Sequence, residues 1–462
     1  MGSSQALQDR FERHTVFVMR LRIAGKAGAM GAILEAATGA GAQATDVKLR
    51  EVERQTGDLL CDLTLFTTGD EQMERVRAGA EAIEGVAVEA VLDPAMETHR
   101  GGACEMRSRC PIRSNTDLRI IYTPGVARVC RAIETDPAKA REFTNLANKV
   151  AIATNGTAIL GLGDIGPLAG LPVMEGKAAI FWEFAHISAE PILIDTHDPD
   201  EFIGIMAKLA CGFGAIQIED VKAPECFRIT RELDARLPIP VFHDDQHGTA
   251  TIVLAGLYSA LKKTGKRIED MTCAISGAGA AGTAITDVLT RAGAGDVVLC
   301  DSVGVIHRGR TENMNPEKAA LAERTNRDNV RGTLADAMKG RELFIGVSRP
   351  DLVTKEMVRS MAPDPIVFPL ANPVSEISVP EAYEAGAAVA ADGRMMNNAL
   401  AYPGIFRGAL DVEAESITIE MMMAAARALA DVVPEGELMP EMMDPATHAA
   451  VADAVRSTAK SK

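Results

Sequence analysis

Residues 271–301 read MTCAISGAGAAGTAITDVLTRAGAGDVVLCD, and this stretch narrows the fold more than any other. An apolar run, MTCAIS, meets Gly277-Ala278-Gly279-Ala280-Ala281-Gly282. A helical pattern follows, and then a second apolar run, DVVLC, that ends in Asp301. Strand, glycine turn, helix and strand in that order make a parallel pair joined by a helical crossover. Gly277, Gly279 and Gly282 permit a tight turn, a close backbone approach and close helix–strand packing. The chain is therefore read as α/β, with a doubly wound parallel sheet over its second half.

The same segment implies a dinucleotide, whose pyrophosphate would sit at the helix N-terminus against Ala280 and Ala281. Asp301, about 20 residues past the fingerprint, is placed to bond the adenine ribose hydroxyls and to repel a 2′-phosphate. NAD is expected on that ground. His307, Arg308 and Arg310 follow closely, so NADP stays open as the alternative. Gly346, Val347 and Ser348, ending the run LFIGVS, are expected to pass beneath the cofactor. A second glycine match, Gly161-Leu162-Gly163-Asp164-Ile165-Gly166, runs at once into Pro167 and PLAGLPVMEG. That continuation reads as loop, so this motif is assigned to structure or to the substrate side.

Two acidic pairs set the chemistry. Glu219-Asp220 ends AIQIED, and Asp244-Asp245 lies in PVFHDDQHGTA. Each follows a short apolar run that reads as a buried strand, so each pair is expected at the C-terminal edge of a parallel sheet, where α/β proteins bind ligands. Carboxylates gathered there repel one another unless a cation sits among them, and an all-oxygen set suits Mg²⁺ or Mn²⁺. A divalent metal beside a nicotinamide points to oxidation of a hydroxy acid.

Composition excludes other classes. The 462 residues carry a formal net charge of −16, which argues against nucleic acid as partner. No apolar stretch of about 20 residues lacks charge, so no membrane span is expected. The start is polar, without a leader pattern, and the eight cysteines are scattered with no C-x-x-C pair. Together these suggest a reduced, cytoplasmic protein.

Three domains are expected: 15–93, 94–250 and 251–462. Residues 15–93 alternate as βαββαβ, the ferredoxin-like pattern. With the glycine-rich connection AGKAGAMG, this module resembles an ACT domain, although Lys26-Ala27-Gly28 stands where many ACT domains have Pro-Gly. That resemblance implies an amino-acid effector at a dimer interface; a dimerisation module without a ligand is the plainer reading. Residues 94–117 read as an irregular linker. The methionine-rich helix SITIEMMMAAARALADVV reads as core.

YTPGVA, GLGDIG, EGKA, the IED strand end, HDDQHGTA, GAGAAG, ANPVSEI and NNALAYPG occur in this order. Across about residues 105–430 the series resembles malic enzymes of the short prokaryotic type. The resemblance implies a malic-enzyme N-terminal domain and a Rossmann-type NAD-binding domain with C-terminal helices. It implies divalent-metal-dependent oxidative decarboxylation of L-malate to pyruvate and CO₂, and a homodimer or larger homo-oligomer. By resemblance, Glu219, Asp220 and Asp245 are metal ligands. Lys177 is the general base for the C2 hydroxyl, Asp244 orients it, and Tyr122 is the acid that protonates C3. Asn372 and Asn398 bond the substrate carboxylate, Asn372 beside the cofactor. One departure stands out. The run Gly156-Thr157-Ala158-Ile159 lacks the arginine that larger eukaryotic malic enzymes place before the first glycine loop. The balancing charge must come from the metal or a partner subunit. Malolactic-type decarboxylation and an amino-acid sensor with a vestigial catalytic part are the competing readings.

Overall fold

The computed structural model describes residues 15–24, 28–159, 162–372 and 374–459. Lys26 and Ala27 of the first connection, Gly161 of the first glycine motif and Pro373 of ANPVSEI lie outside them. The chain divides into two compact units, Met1–Glu105 and Met106–Lys462.

The first unit holds β1 (Thr15–Ile23), α1 (Ala29–Gly39), β2 (Gln43–Val52), β3 (Leu59–Thr67), α2 (Asp70–Glu81) and β4 (Val86–Leu92). Its strands lie in the order β2-β3-β1-β4 with antiparallel pairings, the ferredoxin-like arrangement. Alternation along β1 buries Phe17, Met19, Leu21 and Ile23 against Ile33 and Ala37 of α1 and Met73 and Val76 of α2. The edge strand β2 leaves Val47, Leu49 and Val52 exposed. The stretch read as an irregular linker contains a helix, Pro94–His99. Asp93 caps it by accepting from the Ala95 and Met96 N–H groups, and Pro94 sits at its first position.

The second unit is built on two sheets. One has the order β6-β5-β7-β8, with β5 (Lys149–Thr154), β6 (Ser188–Leu193), β7 (Ala215–Ile218) and β8 (Val241–His243) all parallel. The other comprises β9 (Thr272–Ser276), β10 (Asp296–Asp301), β11 (Gly304–Val305), β12 (Leu343–Gly346), β13 (Ile366–Pro369) and β14 (Val389–Ala390). Its order is β11-β10-β9-β12-β13-β14, parallel except for the two residues of β11. Strand order reverses between β9 and β12, the switch point at which such sheets bind dinucleotides. Every residue of β7, β12 and β13 is buried, as strands covered on both faces must be.

The helices used below are α3 (Asn115–Ile121), α4 (Val126–Thr135), α5 (Pro167–Ala185), α6 (Glu225–Arg236), α7 (Thr249–Thr264), α8 (Ala280–Ala292), α9 (Pro316–Arg324), α10 (Tyr402–Asp411), α11 (Ile419–Asp431) and α12 (Pro445–Ala459). In the methionine-rich α11, Met421 and Met422 join the main core, as expected. Helix α5 corrects the loop expected after the first glycine motif. Pro167 occupies its first position, where a missing N–H costs nothing. Gly170, Pro172 and Gly176 lower its intrinsic propensity, but Met174, Ala178, Phe181 and Ala185 bury one apolar stripe that outweighs it. Among the described residues no helix is long and apolar enough to cross a membrane.

Candidate active site

Strands β7 and β8 are parallel neighbours, so the acids that follow them emerge side by side. One oxygen each from Glu219, Asp220 and Asp245 falls within 4.8 Å of the others. Asp220 takes a left-handed conformation, φ 52°, which aspartate tolerates better than most residues, and its N–H donates to Asp245 Oδ2 at 3.1 Å. Thr157 and Ala158 brace this turn. Ala158 N–H donates to the Asp220 carbonyl at 3.0 Å, and Thr157 Oγ1 accepts from Lys222 N–H at 3.0 Å.

Asp244–Gly248 form a π-helical turn between β8 and α7. Such turns are rare and concentrate at functional sites. Gly248 is required in it, because a Cβ there would overlap the Asp244 carboxylate. Asp244 is fully buried and pairs with Lys177, whose Nζ also lies 2.7 Å from Glu219 Oε1. Burial alone would depress the Lys177 ammonium. Asp244 and Glu219 outweigh that and hold it well above the ordinary lysine value. Burial pushes Glu219 well up, partly offset by Lys177, and it also raises Asp245. Four carboxylates against one ammonium leave a crowded, underneutralised cluster of hard oxygens. Those donors fit a divalent cation of the Mg²⁺ or Mn²⁺ kind.

Asn398 Nδ2 donates to Asp244 Oδ2 at 3.3 Å and to Thr249 Oγ1 at 3.0 Å. The side chain assigned to a substrate carboxylate therefore also anchors Asp244. Sequence reasoning missed Tyr402. Its ring centroid lies 4.8 Å from Lys177 Nζ, and its buried hydroxyl has no hydrogen-bond partner. Burial raises that hydroxyl's pKa, which keeps it protonated. Tyr122 is not gathered with this group. It ends α3 with 66% of its surface exposed, and neither α3 nor α4 buries a residue.

At the switch point Gly277 has φ +114°, and a Cβ there would stand 2.6 Å from the Val347 carbonyl. A Cβ on Gly282 would overlap the Gly277 carbonyl. Both glycines are therefore fixed by close approach. Helix α8 opens at Ala280 and Ala281 with Gly279 as its N-cap. Val347 N–H donates to Ser276 O at 2.8 Å, and the Ser276 and Ser348 hydroxyls lie 2.7 Å apart. Glu376, also missed, is fully buried and accepts from Ser348 N–H at 2.9 Å and Ala371 N–H at 3.1 Å. It ties together the loops after β12 and β13. Asn372, next to Ala371, is exposed at the same sheet edge.

Asp301 departs from expectation. Its oxygens accept from Arg310 Nη2 at 2.7 Å, Lys318 Nζ at 2.7 Å and Asn313 Nδ2 at 3.0 Å, and from Val303 N–H at 2.9 Å. Burial opposes its ionisation, but Lys318 and Arg310 outweigh burial and hold it below the usual carboxylate range. The ribose side of the sheet therefore presents a neutralised carboxylate flanked by two cations, and the argument from a bare repelling charge fails.

Two family models match the chain. "Malic enzyme, N-terminal domain" covers residues 103–198, and "Malic enzyme, NAD binding domain" covers 246–396 and 390–459. The chain belongs to the malic enzyme family. An NAD-dependent malic enzyme of Geobacillus stearothermophilus is 48% identical over 382 residues, 82% of this chain and 80% of that one. A bifunctional malic/malolactic enzyme of Bacillus subtilis is 47% identical over 350 residues, 75% of this chain and 85% of that one. The crystal structure of a malic enzyme from Pyrococcus horikoshii superposes with a TM-score of 0.77 at 42% identity, covering 80% of this chain and 90% of that one. The two family models begin at residue 103, so the βαββαβ sheet lies outside those models.

Proposed function

We propose that the chain oxidatively decarboxylates L-malate to pyruvate and CO₂ with reduction of NAD. The observation that carries this reading is Lys177, held between Asp244 and Glu219 beside the three-carboxylate cluster. Glu219, Asp220 and Asp245 would hold Mg²⁺ or Mn²⁺. When bound, that cation supplies Lewis acidity and the dinucleotide supplies a hydride acceptor. Lys177 takes the C2 hydroxyl proton. The protein's own charges favour its ammonium; a cation held by Glu219, Asp220 and Asp245 would offset the pull of Glu219 and add repulsion, favouring the free amine that a base requires. Asp244, fixed by Asn398, orients the amine. The buried Tyr402 ring closes one side of Lys177 against water. Asn372 and Asn398 face the substrate carboxylate, and Tyr122 delivers the proton to C3.

Tyr122 sits on an exposed surface with Leu118, Ile120 and Ile121. We place it in a homodimer, where that surface packs on a second copy and Tyr122 completes the copy's site. The first unit, with its ACT-like topology, is assigned to binding an amino-acid effector. The NAD preference rests on the NAD-dependent relative. The malic/malolactic relative supports a second reading, in which the cofactor stays bound and lactate is the product.

The test follows the reduced-nicotinamide absorbance with malate, Mn²⁺ and either NAD or NADP, with and without an amino-acid panel. Stoichiometric NADH and pyruvate support the reading. Lactate without net NADH selects the second reading, and no malate-dependent product sinks both. Lys177→Ala should lower turnover by roughly 10²–10⁴-fold, as loss of a positioned base does, while NAD still binds. Near-normal NADH production in that variant would remove Lys177 from the role.

A further inference from the structure

Behind the acid-bearing turn lies a second cavity, of about 380 Å³. Helix α6 of the metal-candidate sheet forms one wall, α8 and α9 of the dinucleotide sheet form another, and the start of α11 closes it. None of Lys177, Glu219, Asp220, Asp244, Asp245 or the glycine fingerprint lines it. Its volume lies within the range of small-molecule sites.

Three uncharged polar groups lining it lack partners, as does Asp234 Oδ1, while the Asp287 carboxylate at the same cavity pairs with Arg324. Thr230 Oγ1, Gln246 Nε2 and Thr283 Oγ1 make no hydrogen bond, and their residues are 6%, 6% and 9% exposed. Buried polar groups are normally satisfied, so three orphans on one cavity call for an occupant. Two hydroxyls and an amide N–H form a donor set for a carboxylate. Asp234 lies one helical turn beyond Thr230 on the same face of α6, and its partly buried carboxylate suits an ammonium. Phe227, Val288 and Met422 supply an apolar wall.

We propose that this cavity is an allosteric site for a small apolar α-amino acid. Carboxylate goes to Thr230, Thr283 and Gln246, ammonium to Asp234, and side chain to the apolar wall. Gln246 belongs to the π-helical turn and directly follows Asp245. An occupant that fixes Gln246 and bridges α6 to α8 holds Asp245 against Asp220 and Glu219. It therefore lowers the divalent-cation requirement and acts as an activator. The site is separate from the effector role assigned to residues 15–93.

The test uses the full-length chain with L-valine, L-leucine and L-methionine as probes. Calorimetry measures binding, and the half-saturating Mn²⁺ concentration is measured with and without each probe. At least one probe should bind and lower that concentration about fivefold or more, the lower end of typical allosteric coupling. Asp234→Asn keeps an acceptor for the Val241 N–H and should weaken binding at least tenfold, with activity without probe unchanged. Thr230→Val, which deletes an orphan hydroxyl, should also weaken binding and should raise the thermal midpoint of the empty protein. Far-ultraviolet circular dichroism and probe-free turnover confirm that each variant is folded. No binding by any probe overturns the proposal. So does binding undiminished in both variants, which would locate the amino acid elsewhere, including in residues 15–93.

Discussion

At the scale of single residues, the acid pairs were legible because a carboxylate at the end of a buried apolar run has only a sheet edge to occupy. Glu219, Asp220 and Asp245 lie where that rule puts them, within 4.8 Å of one another. Losing one anionic ligand of three should weaken the cation strongly. Asp245→Ala is expected to raise the half-saturating Mn²⁺ concentration more than tenfold, read from activity titrations; an unchanged titration would take Asp245 out of the metal site. Tyr402 was illegible because an aromatic residue early in an apolar helix looks like core, and only the fold shows Lys177 over its ring. The pairing of Asp301 was illegible for a related reason: its partners Arg310 and Lys318 lie 9 and 17 residues away, and sequence does not show them turning back. Asp301→Asn would remove the charge partner of both cations, leaving Arg310 on the Gly304, Val305 and Glu312 carbonyls and Lys318 on the Asn313 carbonyl. It should lower KM for NADP severalfold and spare KM for NAD. Loss of NAD binding instead would support the ribose role.

Elements were legible where pattern and propensity agreed, as along β1 and from β9 through α8 to β10. They were illegible where packing overrode propensity. Helix α5 carries two glycines and two prolines within its first ten residues, and yet it positions Lys177. The π-helical turn has no period to read; only the overlap that a Cβ at Gly248 would create shows why HDDQHG must bend as it does. That turn also carries a pH dependence. Burial lowers both His243 and His247 from the ordinary 6.5 to about 4. A depressed histidine pKa means that the unfolded chain binds the proton more readily. Stability should be intact above pH 6.5, fall as pH drops from there towards 4, and level off below. The loss is on the order of a few kcal/mol for the pair. Thermal midpoints between pH 7 and 4 should show it, and His247→Gln should flatten the slope. A slope unchanged in that variant would assign the loss to other groups.

For the whole molecule, the sequence pattern yields the ferredoxin-like and dinucleotide sheets, because periodicity specifies local pairing. It does not reveal how a site is completed between surfaces. Lys177 is partly buried in α5 while Tyr122 stands exposed on a helix pair that buries nothing. Exposed apolar groups beside an exposed candidate acid are the mark of an interface. If a second copy covers them, each site takes Lys177 from one protomer and Tyr122 from the other. Two inactive variants, Lys177→Ala and Tyr122→Phe, should then complement when co-expressed. In a mixed dimer one site carries both defects and the other carries neither. Random assortment makes half the dimers mixed, so recovery should reach about a quarter of the parent activity. The measurement is NADH production by the co-purified pair against each variant alone. If Lys177 and Tyr122 act within one chain, every site in every dimer holds a defect and no activity returns, so a null result with properly mixed dimers refutes the shared site.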